Sequence, residues 1–121
     1  MPTPTRLLRI ADRIHQEISE MLVMGKINDP RLTDIFITDV KVDRELSVAD
    51  IFVSAIEGEE RVEGIIMKAL LKASGFIRRY LINQIELRVF PQLRFHWDPT
   101  PERAERIERL IDVIHEQKKN E

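Results

Sequence analysis

The chain has 121 residues, 43% of them hydrophobic and 33% charged, and a formal net charge of −2. This length is close to the most common domain size, so we expect one domain over residues 1–121, with flexible ends at residues 1–4 and 118–121. The absence of cysteine excludes disulfides, thiolate catalysis and cysteine-based zinc sites. No stretch is apolar enough for a signal core or a bilayer span, so the expected location is cytoplasmic, with no membrane partner.

The first predicted element is a helix from about Arg6 to Met24. Its apolar residues recur at intervals of three or four, as in a helix packed on one side, and Gly25 is its expected end. Three arginines share another side of this helix: Arg6, Arg9 and Arg13. They either contact one partner surface together or pair with Asp12 and Glu17.

Two β-rich runs follow a turn at Asn28-Asp29-Pro30, the first at Ile35–Val42 and the second at Val48–Ile56. Their spacing predicts a hairpin. In the second run, small or branched apolar residues alternate with other residues from Ala49 to Ala55, which gives this strand one core face. The alternation in the first run changes phase near Asp39, as is typical of a β-bulge.

Residues 60–84 have the pattern of one amphipathic helix interrupted by small residues. An uninterrupted helix would be about twice the usual mean of roughly 11–12 residues, and an interior glycine costs about 1 kcal/mol relative to alanine. We therefore predict a helix from about Glu59 to Lys72, a structural kink at Ala73, Ser74 and Gly75, and a helix that resumes at Phe76. The positions expected to face inward are Val62, Ile65, Ile66, Ala69 and Leu70, followed by Phe76, Ile77, Tyr80 and Leu81.

Four cations surround the predicted kink: Lys68, Lys72, Arg78 and Arg79. A restarted helix presents free N–H groups to an anion, and a Ser-Gly pair lets another backbone approach closely. Phosphate is therefore the expected ligand, with Ser74 as an additional hydrogen-bond donor. The local composition agrees, because Glu63 and Glu86 are the only acids in residues 61–94. The alternative is an ordinary solvated helix face.

A short third strand at Leu93–Trp97 and a final helix from Thr100 complete the chain. The expected core stripe of the final helix is Ile107, Leu110, Ile111 and Ile114. The element order is α-β-β-α-kink-α-β-α, which predicts an α+β fold with a three-stranded sheet covered by helices.

Catalytic and cofactor patterns are missing from the sequence. The three histidines are scattered along the chain, and no metalloprotease, P-loop or dinucleotide motif occurs. We therefore expect no enzyme activity, no metal and no cofactor. Three aromatic side chains could stack on bases, but their apolar periodicity favours the core: Phe76, Tyr80 and Trp97.

The element order resembles a type II KH domain, α-β-β-α-kink-α-β, with an additional C-terminal helix. KH modules clamp nucleotide backbone at a Gly-x-x-Gly loop between two helices, where this chain has Ala73-Ser74-Gly75. An Ala-x-Gly kink at this place resembles the ribosome-binding factor A family. The resemblance covers almost the whole chain, and its most specific motifs are Asp29-Pro30-Arg31-Leu32, Gly75-Phe76-Ile77-Arg78 and Pro91-Gln92-Leu93-Arg94-Phe95.

This resemblance implies a monomeric, non-enzymatic RNA-binding factor. Members bind the free small (30S) ribosomal subunit, assist late maturation of small-subunit rRNA, including its 5′ end, and support growth in the cold. The implied partners are the small subunit and its 16S rRNA, with ribosomal proteins and an assembly GTPase as further partners. Because RNA binding depends mainly on phosphate neutralisation by lysine and arginine, the candidate RNA-binding residues are those around the kink, followed by the arginines of the first helix.

Two other classes of function remain open from the sequence alone. Residues 32–60 are rich in acids, with Lys41 and Arg44 as their only cations, so an acidic face for a basic ribosomal or assembly protein is one alternative. A small enzyme with an unrecognised site is the other. Salt-sensitive binding to small subunits would favour the RNA-binding class, because phosphate contacts release counterions.

Overall fold

The computed structural model describes residues 2–55 and 62–119. Its elements are the helix α1 (Pro4–Val23), a 3₁₀ turn (Pro30–Leu32), the strands β1 (Ile35–Val42) and β2 (Val48–Ala55), the helix α2 (Val62–Gln84), the strand β3 (Gln92–Trp97) and the helix α3 (Thr100–Lys119). This arrangement confirms the predicted α+β, KH-like class with an additional C-terminal helix. The predicted start of the second helix, residues 59–61, lies outside the described residues.

The three strands form one sheet in the order β1-β2-β3. β1 and β2 are an antiparallel hairpin whose register shifts between Ile37 and Asp39, which confirms the predicted bulge. β2 and β3 are parallel, because α2 carries the chain back across the sheet before β3 begins. The hairpin turn is held by Asp43, whose carboxylate accepts the backbone N–H groups of Ser47 and Val48 at 2.7 and 3.0 Å.

The core lies between one face of the sheet and the helices α1 and α2. The predicted core face of β2 is confirmed, because Ile51 and Val53 are fully buried, whereas Ser54, which the alternation placed on the other face, is also fully buried. From the helices, Ile14 of α1 and Ile77 of α2 are also fully buried. Burial of each such aliphatic side chain contributes about 1.5–3 kcal/mol, so these contacts fix both helices against the sheet.

The helix α1 forms where the sequence predicted it, and both of its ends have capping features. The hydroxyl of Thr3 accepts the backbone N–H of Arg6 at 3.2 Å, which caps the helix N-terminus. Gly25 has a φ of +64°, the left-handed conformation that ends many helices. Residues 3 and 4 are therefore the cap and the first residue of the helix, and their expected flexibility remains a prediction. The predicted flexible residue 1 lies outside the described residues.

The helix α2 is continuous through Ala73, Ser74 and Gly75, so the prediction of two separate helices was wrong. Gly75 has no positive φ, and a Cβ added there would meet only the Nη1 atom of Arg79, at 3.7 Å. Two inward predictions on this helix were also wrong, because Ile65 and Phe76 are 53% and 45% exposed. The buried stripe instead passes through Leu70, Ile77 and other residues with the same helical spacing.

The helix α3 begins at Thr100 as predicted but does not pack as predicted. Its expected core stripe is solvent-exposed, with exposures from 46% to 63% at Ile107, Leu110, Ile111 and Ile114. The sequence pattern therefore predicted the helix correctly and its burial wrongly. The helix continues to Lys119, and residues 120 and 121 lie outside the described part of the chain. The flexibility expected for residues 118–121 remains a prediction.

Candidate nucleic-acid interface

Three of the predicted cations share one exposed side of α2. Lys68, Lys72 and Arg79 are separated by one and then about two helical turns, so they project from the same side. All three are exposed, and none forms an ion pair with an acid among the described residues. Gly75 lies between them along the helix, and among the described residues a Cβ added there would meet the Nη1 atom of Arg79 at 3.7 Å. This side of α2 therefore offers positive charge that the described part of the fold does not neutralise.

Arg78, the fourth predicted cation, has a structural role. Its Nε and Nη2 atoms donate to the carbonyl oxygens of Pro91 and Phe90 at 3.2 and 2.9 Å. Its guanidinium also lies 5.9 Å from the centre of the Phe90 ring. These bonds hold the segment before β3 against α2. The guanidinium of Arg78 is therefore occupied by contacts within the fold, and it is less available to bind a phosphate than that of Arg79.

Ser74 lies on a different side of α2 from Lys72. It lines an apolar groove between α2 and β3, with a volume of about 400 Å³. The other lining residues are Met67, Leu71, Leu93, Arg94, Phe95 and His96. The structure therefore separates the predicted hydroxyl donor from the cationic side and places it at a neighbouring groove.

The three arginines of α1 do not act as one group. Arg13 lies 3.0 Å from Glu17 and donates to the backbone carbonyl of Gln84 at 3.3 Å, which ties α1 to the end of α2. Arg6 and Arg9 are exposed on the preceding turns of the helix. Because α1 meets the last residue of α2 at Arg13, these turns lie near that end rather than beside Lys72.

The loop after α1 adds charged residues that the sequence analysis missed. Lys26 donates to the hydroxyl of Tyr80 at 2.9 Å, and its ammonium lies 5.0 Å from the centre of that ring. The hydrogen bond with Tyr80 raises the pKa of Lys26 above its ordinary value, so the ammonium stays charged. No pattern in the sequence joins residues so far apart in the chain, and this contact exists only because the loop packs on α2.

The same loop contains an acid close to the cationic side of α2. Arg31 binds Asp29 with its Nε, Nη2 and backbone N–H groups at 2.9, 2.7 and 2.9 Å. These donors lower the pKa of Asp29 to about 2, and the charge of Lys72 adds a smaller lowering effect. Lys72 is therefore near Asp29, but the carboxylate already has a partner in Arg31.

The acidic segment predicted from residues 32–60 is partly neutralised within the described residues. Asp50 lies 2.6 Å from His96 and 3.4 Å from Arg94 on the neighbouring strand. Asp43 is engaged in the hairpin turn, where hydrogen bonds from Ser47 and Val48 lower its pKa. Residues 56–60 of this segment, including the predicted strand end Ile56, lie outside the described residues.

In the part of the chain that the structure describes, no three potential ligands form a group that could hold a metal ion. No helix among those residues has the length and apolar character needed to cross a bilayer. The candidate interface is the charged exterior face of α2 beside the apolar groove between α2 and β3.

A family model described as ribosome-binding factor A matches residues 6–111. The chain belongs to this family. Among curated members, the Nitrosomonas europaea protein is 37% identical over 108 residues, which cover 89% of this chain and 91% of that protein. The Chromohalobacter salexigens protein is 41% identical, covering 86% of this chain and 79% of the relative. The Staphylococcus epidermidis protein is 35% identical, covering 94% and 97%.

Solved structures of ribosome-binding factor A share the fold. The crystal structure of the Thermus thermophilus protein gives a TM-score of 0.62 at 22% identity, covering 74% of this chain and 93% of that one. A homology model of the Thermus thermophilus factor, fitted into a cryo-EM map of its complex with the 30S subunit, gives a TM-score of 0.59 at 22% identity and covers 74% and 91%.

Proposed function

We propose that this protein binds the free small ribosomal subunit by neutralising rRNA phosphates with Lys68, Lys72 and Arg79, and thereby assists late maturation of the rRNA. The observation that carries this proposal is the set of three exposed cations without acidic partners among the described residues. Membership of the ribosome-binding factor A family supports the partner, and the Thermus thermophilus factor has been fitted into a map of its 30S complex.

The expected salt dependence follows from the number of phosphates contacted. If each of the three cations neutralises one phosphate, the logarithm of the binding constant falls with a slope of about −2 to −3 against the logarithm of salt concentration. Raising salt from about 50 to 200 mM should therefore weaken binding about 20- to 40-fold. Salt-independent binding would contradict a phosphate-based interface.

The residues are tested with the double variant Lys72→Glu/Arg79→Glu. Exposed charge changes usually alter stability by only about 0.5 kcal/mol, so this variant should fold but should lose most binding to small subunits in a sedimentation assay. Arg44→Glu/Lys118→Glu is the matched control, because it makes the same change of net charge at exposed positions outside α2. Equal binding by both folded double variants would exclude this face.

The proposed role in maturation needs a cellular test. A bacterial strain that lacks its own ribosome-binding factor A is complemented with this protein or with the Lys72→Glu/Arg79→Glu variant and grown in the cold. We expect the wild-type protein to reduce the amount of 5′-extended small-subunit rRNA precursor, and the variant to leave it high. Equal precursor levels with the wild-type protein and an empty vector would contradict the role in maturation.

Binding through an acidic face to a basic protein is the weaker candidate, because Asp43 and Asp50 have partners within the fold. Retention of the protein by small-subunit proteins after ribonuclease treatment would favour that candidate over the RNA contact.

A further inference from the structure

Phe76 is an exposed aromatic residue at the edge of the cationic side of α2, between Lys72 and Arg79 along the helix. It follows Lys72 by four residues and precedes Arg79 by three, the spacings that place side chains about 5–6 Å apart at their Cβ atoms. The side chain is 45% exposed although the apolar pattern predicted a core position. The helix therefore presents a phenyl ring between two cations without acidic partners among the described residues.

The ring of Phe76 differs from the other aromatic rings near cations in the described structure. Lys26 covers the ring of Tyr80, Arg78 lies over Phe90, and His96 stacks on Phe52 at 5.1 Å. Phe76 has no such cationic or aromatic partner within the described residues. The exposed part of Phe76 is therefore open to a planar group from a partner molecule.

We propose that Phe76 stacks on an unpaired base of the small-subunit rRNA while Lys72 and Arg79 neutralise the phosphates on either side of that base. This inference rests on the proposed function and adds the class of RNA. Base faces are hidden inside a duplex, whereas loops, bulges and single strands can place a base on an aromatic side chain. The recognised element is therefore a single-stranded segment.

Two features of the site favour RNA over an apolar protein surface. Flanking cations match a ligand that alternates flat bases with phosphates, since each nucleotide supplies both groups. The neighbouring Gly75 has open space where a Cβ would lie, apart from the flexible end of Arg79. A nucleic-acid backbone can therefore approach the helix closely beside the phenyl ring.

The test uses the full-length protein with two probes, a 12-nucleotide single-stranded oligouridylate and a 12-base-pair RNA duplex, and measures Kd by fluorescence anisotropy. Phe76→Leu keeps an apolar side chain but removes the ring, whereas Phe76→Tyr keeps the ring. Val89→Ala is the control, because it removes another exposed apolar side chain outside α2.

We expect Phe76→Leu to weaken binding of the single strand about 5- to 150-fold, the range for loss of one stacked base, equivalent to about 1–3 kcal/mol. Duplex binding should stay within about twofold, and Phe76→Tyr and Val89→Ala should bind both probes like the wild type. Folding of each variant is checked by its melting temperature. If Phe76→Leu proves unstable, a loss of single-strand binding in folded Phe76→Tyr, which keeps the ring, would overturn the proposal.

The outcomes separate this inference from the proposed function. Equal single-strand affinity of the wild type and Phe76→Leu, with salt-dependent binding retained, would overturn stacking alone. Equal losses in Phe76→Leu and Phe76→Tyr would also overturn it, because the ring would not be the feature required. Wild-type protein that binds neither probe nor small subunits would overturn both proposals.

Discussion

Replacement of Gly75 by alanine should stabilise this protein. Gly75 lies in the interior of a 23-residue helix, has no positive φ, and would place a new Cβ no closer than 3.7 Å to Arg79 Nη1. Alanine is favoured over glycine in a helix interior by about 0.8–1.0 kcal/mol. For 121 residues the unfolding entropy is about 250 cal/mol/K, so the melting temperature should rise by about 3–4 °C.

The measurement is thermal unfolding followed by far-ultraviolet circular dichroism. Gly25→Ala is the opposite control, because φ at Gly25 is +64° and a side chain there should cost about 1 kcal/mol or more. Gly75→Val should be almost neutral, because valine and glycine differ by less than about 1 kcal/mol in helix propensity. A fall in melting temperature for Gly75→Ala would show that α2 is interrupted in solution and would refute this reasoning.

Three further predictions follow from particular contacts. Arg78→Ala should destabilise by about 1–3 kcal/mol in urea unfolding, because two backbone carbonyls lose their donor, whereas Arg79→Ala should change stability by less than about 0.5 kcal/mol. The carboxyl of Asp29 should titrate by NMR with a pKa of about 2, and Arg31→Ala should return this pKa towards 3.8. Because the pKa is lowered in the folded state, the ionised carboxylate stabilises the fold above pH 3.8, and this stabilisation is lost as the pH falls through about 2. Truncation after Pro99 should shift the melting temperature by no more than about 2 °C in calorimetry, because the apolar stripe of α3 is exposed; a larger fall would show that α3 packs on the core.

Local patterns predicted the hairpin and its irregularity. The phase change near Asp39 was visible in the sequence because residues on one strand face alternate strictly, and an extra residue shifts every later position to the other face. Gly25 was likewise a reliable helix end, since its left-handed conformation is a local property of the chain. These features depend only on residues that are neighbours in the sequence.

The course of α2 could not be predicted from local preference. An interior glycine costs about 1 kcal/mol, but burial of one leucine or isoleucine contributes about 1.5–3 kcal/mol. Leu70 and Ile77, on either side of Gly75, are both buried against the same core. Their combined burial outweighs the local cost only if the helix stays in phase across the glycine, which is the observed arrangement.

Tertiary contacts also decided which cations are available. Arg78 and Arg79 are adjacent in sequence, but the carbonyls of Phe90 and Pro91 engage only Arg78. For α3, the apolar spacing correctly predicted a helix, but it could not show whether another element of the fold covers the apolar side. A sequence pattern assigns residues to a side of a helix, and the identity of the facing surface comes from the fold.

The pair formed by Asp29 and Arg31 explains how Lys72 remains available in a chain whose net charge is negative. Asp29 is near enough for the charge of Lys72 to affect its pKa, yet its oxygens are engaged by Arg31. Arg31→Ala should release this carboxylate to neutralise Lys72, which would weaken binding to small subunits. The slope of the salt dependence should decrease by an amount that corresponds to the loss of up to about one phosphate contact.

A second variant distinguishes release of Asp29 from direct loss of an Arg31 contact with RNA. In Asp29→Asn/Arg31→Ala the negative charge is also removed, while the amide oxygen can still accept the backbone N–H that starts the 3₁₀ turn. We expect this double variant to recover the affinity and the salt slope of the wild type. If it binds as weakly as Arg31→Ala, then Arg31 itself contacts the phosphate backbone, and the cationic face extends from α2 onto the loop after α1.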